Sequence, residues 1–424
     1  MSWPGDSPVT TPQARRDRSR LTILFLSREY PPETGGGGIG SYVAAIAPAL
    51  AARGHDVHTL SCAPGQATRD YRDGDAWIHR RGTVNLRLSR LRPHVQATAS
   101  RLEAALSCYL EARRLDVQPD LLEAPDWMAE GLLLTLVGSK PVVGHLHTPL
   151  RLTIKRSGGT YPWTIDRRLA DRIERLAVRR SFQLTSPSRL LVDDLARDNW
   201  FGAHAPGIFR YGVDAERWDG ISSASSTEPL VLGVGRLEAR KAPDILIEAA
   251  GRLSGVEGLD VVFVGREQAR AGPFSLQWLQ ERARAIGAPI RFLGSVSRNE
   301  LRGWYAAARV VVVPSRYDNF PFVALEAMAA GRAVVCTATT GTAELADDSE
   351  AITVVPPEDA GALASALRPF LDDAEFASRA GAQARELVLR ECGLDRISAE
   401  REAFYREVVA NWEHRRKGRR RPAA

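Results

Sequence analysis

Between Val313 and Glu326 the chain reads VPSRYDNFPFVALE, with Asp318 just past a short apolar run and Glu326 eight residues on. A carboxylate accepts hydrogen bonds from neutral hydroxyls. Two acids set across a strand, loop and helix can therefore hold different parts of one extended, hydroxyl-rich ligand. Without context, the same pair could merely start a turn and cap a helix. Upstream, Arg236 directly follows the apolar run 230–235, and Lys241 lies five residues later. A guanidinium fork and an ammonium point charge together suit a diphosphate. A third feature is the run Gly35-Gly-Gly-Gly-Ile-Gly40, which opens onto a helix-forming stretch. Glycine lets backbone N–H groups approach an anion closely, and the positive end of the helix adds to the attraction. The run contains the dinucleotide spacing G-x-G-x-x-G. However, it starts about eight residues beyond the preceding strand, and the next strand ends Thr59-Leu60-Ser61-Cys62 with no acid to hold a ribose. A nicotinamide-binding fingerprint is therefore not expected.

These residues need strands that end beside one another and helices that start there. Residues 21–27 form a short apolar run, 41–53 have helical spacing ending at Gly54, and 56–60, DVHTL, read as another strand. Strand, helix, strand within about 40 residues implies a parallel βαβ unit. Further strands are expected at 121–124, 141–147 and 183–186, with helices at 167–180 and 188–198. Residues 219–229, DGISSASSTEP, are small and polar, as a linker would be. The alternation then restarts: strands at 230–235, 260–264, 290–293, 309–313 and 333–336, with helices between them and a helical stretch over 378–412. The expected organisation is a disordered segment 1–20, a doubly wound α/β domain 21–218, the linker, a second such domain 230–400, and a helix with a basic tail over 401–424.

Composition agrees. The chain has 424 residues, 44% hydrophobic and 25% charged, enough for two domains without staples. Four scattered cysteines with no C-x-x-C pair argue against a zinc knuckle or disulfide framework and suit a reducing interior. No apolar leader or spanning run is evident, so a cytoplasmic location is expected. Net charge is +6, from 57 basic and 51 acidic residues, and six of the positive charges sit in residues 415–421. The remainder is about neutral, which weakens a nucleic-acid reading. The tail itself reads as a solvated end. Arginine beside apolar residues at 86–92 and 167–180 raises membrane-surface contact, with a solvated helix face as the favoured reading. Asp73-Gly74-Asp75 resembles a metal-binding D-x-D, but no apolar strand precedes it. It reads as a turn, so no metal is expected and EDTA should leave activity unchanged.

Taken together, Gly35–Gly40, Gly235-Arg236-Leu237…Lys241 and Asp318-x7-Glu326 resemble the retaining glycosyltransferases of family four, which have two Rossmann-like domains facing a cleft (the GT-B fold). The resemblance covers about residues 21–400. Weaker echoes are Val264-Gly265, Phe292-Leu293-Gly294-x-Val296, Pro187-Ser188 and Tyr211-Gly212-Val213-Asp214. It implies transfer of a sugar from a nucleoside-diphosphate sugar, a co-substrate rather than a resident cofactor, to a polar small-molecule, glycan or lipid-linked acceptor. By resemblance, Arg236 and Lys241 hold the diphosphate and Glu326 the ribose. Asp318 and the backbone of Asn319, Phe320 and Phe322 hold the transferred sugar, and Val296 lies near the nucleobase. Gly38 and its neighbours meet the phosphates from the opposing domain, and His147 acts near the sugar; a lone strand-end histidine would otherwise be structural. The acceptor is expected on the first domain, at the glycine loop, Glu123, Trp127, His145 and the loop near 155–163. Oligomeric state stays open. The family's first acid is normally Glu where this chain has Asp318, one methylene shorter. Lys241 is followed by Ala242-Pro243 where Gly is common, and paired glycines become Thr340-Gly341 before Glu344. The alternatives are a non-catalytic sugar-nucleotide-binding protein on the same fold, which Asp318 favours, and, more remotely, an NAD-dependent oxidoreductase. The Ala- and Arg-rich composition hints at a bacterial cell-envelope or natural-product pathway.

Overall fold

The computed structural model describes residues 20–419 except 33, 35–36, 88–90, 157–158, 160, 203–204, 222–227, 269–271 and 347. The expected N-terminal segment (except residue 20), most of the linker, Gly35, Gly36 and the last tail residues thus lie outside the described residues.

Two sheets organise the chain. The first contains β1 (Thr22–Leu26), β2 (Asp56–Cys62), β3 (Arg69–Asp73), β4 (Ala76–Arg81), β5 (Leu121–Pro125), β6 (Val142–His145), β7 (Gln183–Ser186) and β8 (Gly207–Ile208). Its order is β3-β4-β2-β1-β5-β6-β7-β8, parallel throughout except for the β3–β4 hairpin. Asp73-Gly74-Asp75 is the turn of that hairpin, with Gly74 at φ +57. Packed with this sheet are α1 (Gly38–Ala52), α2 (Arg92–Arg114), α3 (Leu132–Val137), α4 (Leu150–Lys155), α5 (Ile165–Arg180) and α6 (Arg189–Arg197). Residues 86–87 are not helical. α2 starts at Arg92, and residues 88–90 of the basic stretch 86–92 lie outside the described residues.

The second sheet contains β9 (Leu230–Val234), β10 (Asp260–Val264), β11 (Ile290–Gly294), β12 (Val310–Val313), β13 (Ala333–Thr337) and β14 (Ile352–Val355). All its pairs are parallel, in the order β11-β10-β9-β12-β13-β14. β12 is four consecutive valines, none more than 3% exposed, as a strand covered on both faces requires. The helices are α7 (Pro243–Arg252), α8 (Leu276–Ala285), α9 (Arg298–Ala307), α10 (Phe322–Ala329), α11 (Ala360–Asp372) and α12 (Ala374–Cys392). Strand order reverses between β9 and β12 in this sheet and between β1 and β5 in the first. Open parallel sheets bind ligands at such points, beyond the carboxyl ends of the strands.

The last helix, α13 (Leu394–Arg419), returns to the first lobe. The crossing comes at Gly393, where Val213 N–H donates to the Cys392 carbonyl at 2.8 Å and Leu394 N–H to the Val213 carbonyl at 3.0 Å. The return therefore begins before residue 400, the expected edge of the second domain. α13 packs along α1, and its Arg401 and Tyr405 are fully buried. Among the described residues no helix is long and apolar enough to cross a membrane.

Candidate active site

The loop after β9 carries the expected cations. A short 3-10 turn, Ala239–Lys241, follows Arg236, and Ala242 closes it in the left-handed conformation at φ +50 before Pro243 starts α7. That backbone is why glycine suits position 242. Arg236 pairs with Glu238 at 3.1 Å, and Glu238 pairs with Arg240 at 2.9 Å. Arg240 stands 3.7 Å from the Asp318 carboxylate, and Lys241 Nζ contacts Asp318 Oδ2 directly. Burial alone would raise the Asp318 pKa. The Lys241 ammonium and Arg240 guanidinium outweigh that and hold it below the usual carboxylate range. The ammonium is in turn pushed down by burial and pulled back up by Asp318.

Asp318 lies where the two lobes meet. Its neighbour Asn319 donates its side-chain amide to the His147 carbonyl of the first lobe. Phe322, the first residue of α10, stacks on Tyr211 at 4.7 Å, and Phe320 meets the same ring edge-on at 5.9 Å. Glu344 accepts the Arg189 and Leu190 N–H groups at 3.1 and 2.7 Å, so a second-lobe carboxylate satisfies the start of first-lobe α6. Only glycine fits at 341: a Cβ there would lie 1.7 Å from the Asn319 carbonyl oxygen and 2.8 Å from Ser188 Cβ. Glu326, one turn into α10, accepts from the Tyr305 hydroxyl at 3.1 Å. Burial pushes its carboxyl up to about 7, against the pull of that bond. Val296 is half-buried between β11 and α9.

His147 lies two residues past β6. Its backbone N–H donates to Asp126 at 2.9 Å, and its Nδ1 shares a 2.6 Å hydrogen bond with the Tyr211 hydroxyl. Burial, reinforced by Arg401, pushes its pKa down to about 3, so the imidazole is neutral. In the glycine loop, a Cβ on Gly37 would fall 2.4 Å from Glu29 Oε2 and one on Gly40 would press on Glu29 at 3.1 Å, whereas Gly38 faces open space. The helix starts at Gly38, not at residue 41 as its apolar spacing suggests.

A cavity of about 1010 Å³ opens in the first lobe, lined by Arg28, Glu29, His94, Trp127, Glu130 and Asp166 among others. Of the residues expected to meet the acceptor, Trp127 lines this cavity. Glu123 and His145 do not, contrary to expectation. Glu123 is 2% exposed and accepts from Tyr42 at 2.7 Å, Tyr405 at 2.6 Å and Arg401 at 3.2 Å. His145 Nδ1 faces Thr185 at 2.7 Å and Arg401 at 3.0 Å. Both are interior groups tied up by α13. Sequence reasoning missed Arg240, although it stood beside Lys241 in the same segment, and read Tyr211 only as part of a turn. Arg401 carried no signal, because its partners Glu123, His145 and Thr185 lie more than 200 residues away.

Two family descriptions match. "Glycosyltransferase Family 4" covers residues 36–217 and "Glycosyl transferases group 1" residues 228–373. Glycogen synthase of Mycobacterium tuberculosis (strain CDC 1551 / Oshkosh) is 29% identical over 384 residues, 86% of this chain and 90% of its own. D-inositol 3-phosphate glycosyltransferase of Xylanimonas cellulosilytica is 29% identical over 416 residues, 92% and 96% of the two chains. In structure, sucrose-phosphate synthase from Thermosynechococcus elongatus superposes with a TM-score of 0.75 at 21% identity, over 92% of this chain and all of the other. Anabaena HepE in complex with UDP and glucose does so with a TM-score of 0.68 at 17% identity, over 91% and 99%. The fold is GT-B, and the chain belongs to the family-four glycosyltransferases. It is a nucleotide-sugar-dependent glycosyltransferase.

Proposed function

We propose that this enzyme transfers a hexosyl group, with retention of anomeric configuration, from a nucleoside-diphosphate sugar held between the lobes to a polar acceptor in the first-lobe cavity. One observation carries this: Arg236, Arg240, Lys241 and Asp318 form a continuous charge network, and Asn319 links that network to the His147 carbonyl across the groove. Arg236 and Lys241 take the diphosphate and stabilise the negative charge that grows on the leaving group. Glu326 accepts from the ribose. Asp318 and the backbone around Asn319, Phe320 and Phe322 hold the sugar, Val296 lies against the nucleobase, and the open Gly38 end of α1 faces the phosphates. HepE, whose structure holds UDP and glucose on the same fold, supports a donor of this class.

In the proposed step, the bond from C1 to the phosphate oxygen breaks as the acceptor oxygen attacks from the same face. The acceptor's proton passes to the departing phosphate. Neutral His147 can hydrogen-bond the sugar through Nε2 while Tyr211 fixes Nδ1. Closed lobes keep water from the reacting carbon. Protein cations supply the positive charge, and Asp73 is occupied by the Tyr30 hydroxyl at 2.7 Å, so no divalent cation is invoked. A thermal-shift panel of UDP-, GDP-, ADP- and TDP-sugars identifies the donor, since binding to the native state raises Tm. With that donor, NMR of the product anomer tests retention, and an inverted product would overturn it.

A further inference from the structure

We propose that the outer face of α5, together with the basic end of α13, docks this enzyme on an anionic lipid bilayer. Ile165, Leu169 and Leu176 are 78%, 41% and 39% exposed. With Arg168 and Arg172 they occupy positions i, i+3, i+4, i+7 and i+11 of α5, which is one stripe along a helix. Arg168 and Arg172 are exposed, and neither has a side-chain hydrogen bond or ion pair among the described residues. The acids of the same helix all turn inward. Asp166 accepts the Ala97 and Thr98 N–H groups, Asp171 pairs with Arg151 at 2.7 Å, and Glu174 pairs with Arg101 at 2.7 Å.

This segregation separates the proposal from an ordinary solvated face. A solvated helix gains from opposite charges three or four apart, whereas like charges at that spacing repel. Arg168 and Arg172 are four apart with no acid on their stripe. The arrangement is relieved by an external anionic surface.

The fold also brings a second basic motif to the C-terminal end of the same helix. Phe182 lies two residues past the end of α5. Trp412 of α13 meets its ring edge-on at 5.1 Å, and the Arg415 guanidinium lies over it at 4.9 Å. Arg415, near the end of α13, thus adjoins the C-terminal end of α5, although well over two hundred residues separate them. Ile165 and Leu169 also line the first-lobe cavity, so the face borders its mouth.

The chemistry selects among partners. Aliphatic side chains between arginines can enter the headgroup boundary while the guanidinium groups meet lipid phosphates. Sequence-tolerant binding of single-stranded nucleic acid uses aromatic stacking, which this stripe does not offer. A symmetric contact with a second copy would set arginine against arginine. The proposal does not depend on which donor or acceptor the enzyme uses.

Co-sedimentation of the full chain with phosphatidylcholine vesicles, with and without phosphatidylglycerol, provides the test. Binding is expected to the anionic vesicles alone and to weaken with salt. Arg168→Glu/Arg172→Glu is expected to lower it at least about tenfold, and Arg168→Lys/Arg172→Lys to retain it. Circular dichroism and the nucleotide-sugar thermal shift should stay as in wild type, which excludes unfolding and keeps the outcome separate from the donor reading. No sedimentation at low salt, equal binding to neutral vesicles, or undiminished binding by the glutamate variant would each overturn the proposal. So would a concentration-dependent dimer that the glutamate variant abolishes.

Discussion

At the residue scale, Arg236, Arg240 and Lys241 of the second lobe are partly neutralised by Glu238 and Asp318, which leaves one positive charge in excess. In the proposed complex the diphosphate shares Lys241 with Asp318. Lys241→Ala is expected to slow transfer on the order of 10²–10³-fold, measured as kcat at saturating acceptor. Glu326, with its carboxyl near 7, is protonated in mild acid and then loses acceptor capacity toward a ribose hydroxyl. Donor KM should therefore rise as pH falls below about 7, and Glu326→Gln should show a raised but flat KM. Ala242 carries a left-handed backbone without glycine's freedom. Ala242→Gly is expected to stabilise the protein by about 0.5–1 kcal/mol, read from the urea midpoint. The sequence showed the departure at 242 but not its conformation, because the left-handed turn appears only once Lys241 has to reach Asp318.

At the scale of elements, α13 ties the chain's end to its beginning through one buried ion pair. Removing Arg401 leaves Glu123 without its cation inside the first lobe. Arg401→Met should cost about 3–5 kcal/mol, and Glu123→Gln in that background should recover part of it. A urea titration of the four proteins decides, and additive losses would argue against the pairing. The loop after β5 adds a pH dependence. Burial pushes Asp126 up to about 8 and Glu130 to about 7, so each binds its proton more tightly folded than unfolded. Their contribution is fully present below their unfolded values and is lost as pH rises through 7–8. The urea midpoint should fall between about pH 5 and pH 8, and Asp126→Asn should flatten the fall. Of these elements most of the buried parallel strands and the helices that follow them were legible in the sequence, because such strands are continuous apolar runs. It concealed the β3–β4 hairpin, whose strand Arg69–Asp73 is polar and largely exposed, and α2, whose polar start has little apolar periodicity.

At the scale of the whole molecule, the convergence of the proposed donor residues was legible and the interior placement of Glu123 and His145 was not. Arg236, Lys241, Asp318 and Glu326 lie in short segments that end at neighbouring strands of one sheet, so local spacing carries their relation. Glu123 lies in the middle of β5 and His145 ends β6, but α13 covers them from a distance that no local pattern encodes. The first-lobe cavity, the proposed acceptor site, is likewise assembled from α1, α2, the β5 loop and α5 together. Isothermal titration of wild-type and Lys241→Ala protein with the nucleotide sugar that most raises Tm decides whether the diphosphate rests on the second lobe. Wild type should bind and the variant should bind at least about tenfold more weakly, as loss of a charge-assisted hydrogen bond requires. Equal affinities for the two proteins would contradict a diphosphate held by these cations.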